Sequence, residues 1–207
     1  MQNKNRQAQW DNAYQTKGEA GVSWFEDTPA ISLELIRKHA TIASTSLIDV
    51  GGGASRLVDA LLDEGVKMVT VLDLSPSALE AAKARLGLRA DDVQWIAADV
   101  TEWEPDQSYD IWHDRAAFHF LTDPEDRAAY IERLTAAVAL GGHAVIATFA
   151  PDGPERCSGL PVVRYDPAAL AEMIGPSFRL VEQLMHQHTT PWNSTQAFQF
   201  SVLERVG

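Results

Sequence analysis

The chain has 207 residues, enough for one domain with a full core, and its 45% apolar and 22% charged content is that of an ordinary globular protein. A formal net charge of −12 and a pI near 4.8 argue against nucleic acid or anionic membrane as partners, and no run of Lys and Arg offsets them. The single cysteine, Cys157, excludes an internal disulfide and a four-cysteine metal site.

The N-terminal "MQNKNRQAQW" has no apolar signal core, and no stretch approaches the ~20 apolar residues needed to span a bilayer, so a cytoplasmic chain is expected. Residues 1–40 set Trp10, Tyr14, Trp24 and Phe25 in a mostly polar background. They read as a helical cap lying over the ligand-binding end of the domain. From residue 47 strand-like and helix-like segments alternate. "LIDV" (47–50) is a short buried strand, and after three glycines Leu57, Val58, Leu61 and Leu62 recur at helical spacing up to Gly65. "MVTVLDL" (68–74) is a second strand. Ser75 and Pro76 then give a cap and a first-turn proline, and Gly87 closes that helix. Strands follow at 93–100 and 109–114. Asp123 and Pro124 repeat the cap signal before a helix with the stripe Tyr130, Ile131, Leu134 and Val138, and "GGHAVIATFA" reads as a turn and a fifth strand. Asp166 and Pro167 open a last short helix, stopped at Gly175–Pro176. Residues 179–188 and 197–205 read as an antiparallel strand pair, with Phe198, Phe200 and Val202 alternating against Gln199 and Ser201. The expected fold is α/β: a Rossmann-like, doubly wound, mostly parallel seven-stranded sheet with an antiparallel C-terminal pair and a helical N-terminal cap. It forms one domain over residues 1–207.

Ligands bind such a sheet at the carboxyl ends of its strands. "DVGGGAS" lies at the first of these ends, Asp73 at the second and Asp99 at the third. A carboxylate at the second end can accept both ribose hydroxyls, and one at the third can accept an adenine amine. Glycines beside the first let backbone approach the rest of a ligand. Together the three features point to a nucleoside site. The dinucleotide fingerprint G-x-G-x-x-G needs glycine at 56, where Arg56 stands, so a nicotinamide dehydrogenase is disfavoured.

Asp49-x-Gly51-x-Gly53, with Asp73, "AADV" at 97–100 and "LGG" at 140–142, resembles the successive motifs of the class I S-adenosylmethionine (SAM) methyltransferases over roughly residues 45–150. Ser55 replaces a usual third glycine, and Ala139–Leu140 a usual Lys-Pro or Arg-Pro. The resemblance implies SAM as cofactor. It places Gly51 and Gly53 against the methionine part, Asp73 on the ribose with Leu74 beside it, and Asp99 on the adenine with Val100 beside it. Asp49 orients the loop or meets the cofactor's amino group. The domain then divides into the cap (1–40), a SAM-binding core (45–150) and an acceptor-side segment with the terminal hairpin (151–207).

"YDIWHDRAAFHFLTDPEDRAAY" resembles the matching segment of the thiopurine and related thiol or halide methyltransferases, through Trp112, Asp114, Arg115, Asp126, Arg127 and Tyr130, with His113 inserted. Cys157, Gly159, Pro161 and His188 resemble the tellurite-resistance methyltransferases. "VSWFEDTPAISLELI" (22–36) is similar to a branch near the protein-lysine methyltransferases. A small-molecule acceptor with a soft centre (sulfur, selenium, tellurium or halide) is the leading expectation. Arg115, His188 and His113 are the candidate catalytic residues: Arg115, with Arg156 and Arg164 as alternatives, steers an anion, and a histidine takes a proton from a neutral acceptor. A protein-lysine methyltransferase and a non-catalytic SAM-binding module are the alternatives. Structural roles are expected for His119 and Cys157, and plain packing competes with cofactor shielding for Trp24 and Phe25. His186-x-His188 puts two rings on one strand face, but with no third ligand nearby no metal is expected. The chain is expected to be a monomer or a weak homodimer.

Overall fold

The computed structural model describes residues 2–207. One seven-stranded sheet organises the chain: β1 (Ser46–Val50), β2 (Met68–Asp73), β3 (Val93–Ala97), β4 (Tyr109–Arg115), β5 (Val138–Phe149), β8 (Phe178–Thr189) and β9 (Thr195–Arg205), in the spatial order β3-β2-β1-β4-β5-β9-β8. The pairs from β3 through β5 are parallel, while β9 runs antiparallel to both β5 and β8. Strand order reverses between β1 and β4, and at such a switch point the flanking connections diverge and leave a crevice.

Alternation along the strands divides the core into two layers. On one face Leu47, Val69, Val71, Ile111, Phe198 and Phe200 pack under α2 (Ala30–His39) and α3 (Leu57–Asp63). On the other, Ile48, Val50, Leu72 and Trp112 pack under α5 (Pro124–Ala137) and α6 (Pro167–Ile174), which contribute Tyr130, Leu134, Leu170 and Ile174. One start signal recurs in three helices. Ser75 opens α4 (Pro76–Leu86) by accepting from Ala78 N, Asp123 accepts from Glu125 N and Asp166 from Ala169 N, each followed by proline at the first turn. The cap satisfies an orphan N–H, and proline occupies a position that needs none.

Four expectations change. β3 ends at Ala97 rather than Val100, because Asp99 Oδ1 accepts from Thr101 N (2.9 Å) and turns the chain. Val138 opens β5 instead of ending the stripe of α5, and the expected Gly141–Gly142 turn is a register irregularity inside that strand. An unanticipated hairpin joins β6 (Arg156–Cys157) to β7 (Leu160–Pro161) through Ser158 (φ 48) and Gly159 (φ 79), the paired positive angles a two-residue hairpin turn requires. Finally, only part of residues 1–40 is a cap. The first helix, α1 (Gln2–Lys17), lies over the crevice, but α2 buries Leu33, Leu35 and Ile36 in the core.

Candidate active site

The loop after β1 needs glycine for reasons internal to the protein. A Cβ on Gly51 (φ +68) would lie 2.6 Å from Ala117 Cβ, and one on Gly53 (φ +47) would lie 2.8 Å from Tyr14 Oη and 3.0 Å from Asp73 Oδ2. Gly52 is closed off by Asp49 Oδ2, 2.6 Å from where its Cβ would stand. The loop is thus pressed between the cap, the segment after β4 and two carboxylates. Internal packing and the expected approach of a ligand therefore both call for glycine at this loop.

Asp49 is buried at the end of β1, and its Oδ1 lies 2.7 Å from His113 Nδ1, with His113 Nε2 2.8 Å from Ser32 Oγ at the start of α2. With the carboxylate as acceptor, Nδ1 donates and Nε2 accepts the Ser32 hydroxyl proton. Asp73, at the end of β2, accepts from Ser75 N (2.7 Å). Burial pushes its pKa up to about 7, with the charge of Asp49 adding to the rise against the bonds from Ser75 and Gly53. Asp99 gives Oδ1 to Thr101 and holds Arg6 Nη2 at 3.2 Å on Oδ2; Arg6 Nη1 reaches Asp126 at 3.0 Å.

A cleft of about 790 Å³ of empty space, its open mouth included, lies over these strand ends. Gly51, Asp73, Leu74, Asp99 and Val100 line it from the sheet side, and Arg6, Trp10 and Tyr14 line it from α1. Trp10 packs edge-on against Phe120 (4.9 Å between centroids) and Trp24 (5.7 Å), closing the roof. A second cavity, about 530 Å³ of empty space with its open mouth included, continues on the α2 and α3 side, lined by Asp49, Gly52, Ser55 and His113 and by Phe25 and Glu26. Tyr14, Trp24, Gly51 and Arg115 border both spaces.

The three candidate catalytic residues are placed differently from one another. Arg115 borders both cavities, but its Nη1 donates to Trp24 O (2.8 Å), its Nη2 pairs with Glu26 (3.0 Å) and its Cζ stacks 5.0 Å from the Phe198 centroid. It pairs with neither its neighbour Asp114, which accepts from Ala117 N, nor Asp126, which pairs with Arg6. Burial lowers the Arg115 pKa against the pull of Glu26. Burial also works against charge on Glu26, but His188 and Arg115 hold its pKa below the ordinary value. His113 lines the second cavity with both ring nitrogens engaged. His188 lines neither cavity: its Nε2 is 2.7 Å from Ser23 O and its Nδ1 3.5 Å from Glu26 Oε1, so it braces the segment Ser23–Glu26. Its expected action on the acceptor has no contact with either cavity to support it, although its partner Glu26 lines the second. Arg156 and Arg164 also lie away from both cavities, bonded to Gly159 O and to Gly153 O and Glu155.

His119 has the structural place expected of it. Its Nδ1 accepts from Phe149 N at 3.3 Å, and burial, reinforced by Arg115, drives its pKa down to about 3. Cys157 is a buried thiol 3.9 Å from Ser23 Oγ.

Arg6, Glu26 and Ser32 were not anticipated. Arg6, Trp10 and Tyr14 recur every fourth residue and so share a helix face, a signal present in the sequence. Nothing local marks Glu26 or Ser32, whose partners lie 89 and 81 positions away. No described helix is long and apolar enough to cross a membrane.

Residues 47–142 match the family model of a methyltransferase domain. A malonyl-[acyl-carrier protein] O-methyltransferase of Anoxybacillus flavithermus is 32% identical over 89 residues, 42% of this chain and 34% of that protein. A trans-aconitate 2-methyltransferase of Methylobacterium radiotolerans is 30% identical over 148 residues, 70% of this chain and 50% of that protein. The chain therefore spans no more than half the length of these relatives. A SAM-dependent methyltransferase from Anabaena variabilis superposes with a TM-score of 0.78 over 99% of this chain and 95% of that one, at 14% identity, which is a likeness of fold. Residues 47–142 are thus similar to a methyltransferase domain, and the whole chain shares the fold of a SAM-dependent methyltransferase.

Proposed function

We propose that this chain transfers a methyl group from SAM to a small molecule whose accepting atom arrives with its lone pair already free, such as a thiolate, selenolate, tellurium centre or halide. The observation that carries the acceptor reading is the state of the histidines. His113 is held by Asp49 and Ser32, His188 by Ser23, and His119 is buried with a pKa near 3, so none of these rings is set to take a proton from an acceptor. An acceptor that needs no deprotonation suits such a site. A carboxylate acceptor is the second reading, favoured by the relatives named for malonyl and trans-aconitate groups.

The residues present fit the cofactor. Carboxylates line the cleft where ribose hydroxyls and an adenine amine need acceptors. When bound, SAM supplies a methyl group already activated on a sulfonium. Asp73 would hold the ribose, Asp99 the adenine amine, and Leu74 and Val100 the faces of the ring. Gly51 and Gly53 would run beside the methionine part, over a loop oriented by Asp49. Trp10, Trp24 and Phe120 keep water from the reacting centre. Arg115, at the junction of the two cavities, orients the acceptor for in-line attack through the side of its guanidinium not used by Glu26.

The test is incubation of the purified chain with methyl-labelled SAM and a panel of thiols, selenium and tellurium oxyanions, halides, carboxylic acids, amines and protein extract. Label in volatile or small organic products is expected. Label only in protein bands would replace this reading by protein-lysine methylation. No transfer despite SAM binding would leave a binding module.

A further inference from the structure

The second cavity carries an excess of negative charge that the proposed roles above do not use. Glu19, Glu26 and Asp49 line it against the single guanidinium of Arg115. Their commitments differ. Glu19 is spent on Arg56 and Arg85. Asp49 gives Oδ1 to His113. Glu26 meets both the Arg115 guanidinium, at 3.0 Å, and His188 Nδ1, at 3.5 Å, on the same oxygen, Oε1, which leaves Oε2 able to accept. The aromatic walls Tyr14, Trp24 and Phe25 add faces that favour a cation. Four residues border both cavities, so one elongated ligand can lie in the two at once.

We infer that Glu26 is a cofactor-binding residue whose carboxylate takes the α-ammonium of the amino-acid end of SAM. The inference rests on the reading that the adenosine part lies in the adjoining cleft on Asp73. From there the amino-acid end passes Gly51 into the acidic cavity, where its ammonium is the group the charge favours. Glu26 is itself aimed by Arg115 and His188, so β4 and β8 set the position of a residue that the cap segment supplies. The carboxylate then has two tasks: it latches the segment Ser23–Glu26 over the site and recognises one end of the cofactor.

The test compares wild type with Glu26→Gln, which keeps an oxygen for Arg115. Titration calorimetry uses three probes: S-adenosylhomocysteine (SAH), the analogue in which the ammonium is replaced by hydrogen (5′-S-(3-carboxypropyl)-5′-thioadenosine), and 5′-methylthioadenosine, which lacks the whole amino-acid end. The expected result is a loss of about tenfold or more for SAH, the scale of a charge-assisted hydrogen bond, with changes within about twofold for the other two. Equal losses on all three would mean that Glu26 only holds the segment in place, and would overturn the inference. So would an unchanged SAH affinity. Failure of folded wild type to bind any of the three would instead remove the adenosine reading beneath it.

Discussion

Asp73 should make cofactor affinity depend on pH across the neutral range. Its carboxyl titrates near 7 because burial and the neighbouring Asp49 penalise the charge. Oδ1 is committed to Ser75 N, so a proton on Oδ2 turns the remaining acceptor into a donor and leaves two ribose hydroxyls with one good acceptor between them. Below pH 7 the ionised fraction falls about tenfold per unit, which predicts an SAH Kd about 100-fold weaker at pH 5 than its plateau above pH 8, or roughly 2.7 kcal/mol. At pH 7 binding should release about half a proton, seen as a calorimetric enthalpy that varies with the ionisation enthalpy of the buffer. The same shift acts on stability. A raised carboxylate pKa means the folded state binds the proton more tightly than the unfolded state, so stability falls as pH rises from about 4 to about 7 and levels off above. The contribution lost is on the order of 4 kcal/mol. Asp73→Asn should weaken SAH binding and abolish both the slope and the proton release. A flat wild-type Kd between pH 5 and 8, with the protein folded throughout, would refute the reasoning, as would an Asn variant that keeps the slope.

Arg6 occupies the Asp99 oxygen that an adenine amine would use, so Arg6→Gln should tighten SAH binding about two- to fivefold, the scale of an ion pair that water still reaches; weaker binding would show that Arg6 assists the ligand. Tyr130 accepts from Trp112 Nε1 (2.9 Å) and donates to Asp114 Oδ2 (2.7 Å) inside the core, so Tyr130→Phe should lower the denaturant-derived stability by about 1–3 kcal/mol through the donor and acceptor left short of partners. Gly51→Ala forces a Cβ onto Ala117 at a positive φ, and should cost about 1–3 kcal/mol in thermal unfolding as well as SAH binding; an unchanged Tm would show the loop to be freely adjustable.

The parts legible in the sequence are those written in local chemistry. Ser75–Pro76, Asp123–Pro124 and Asp166–Pro167 announce their helices because cap and proline act within one turn. Asp73 and Asp99 could be placed at the cleft because apolar runs locate strand ends and parallel topology brings those ends together. The end of β3 is hard to read from the apolar run because Asp99 bends the chain through its own side chain, a choice that competes with strand continuation. Arg115 and His188 both meet Glu26 Oε1. Their partner was not foreseen, because Glu26 comes from a cap segment with no periodicity of its own and closes the cluster across 89 positions. Arg6 shares its helix face with Trp10 and Tyr14, but nothing local points from that face to Asp99, 93 positions away. Charge pairing between distant segments follows from the finished packing and has little trace in local pattern.

The measurement that bears most directly on the account is a crystal structure of the chain grown with SAH. Adenosine is expected in the cleft at the ends of β2 and β3, with the ribose hydroxyls on Asp73, the adenine amine on Asp99 in place of Arg6, and the amino-acid end running past Gly51 at the end of β1. SAH bound elsewhere, or a cleft that stays closed by Arg6 and Tyr14 at saturating ligand, would contradict it.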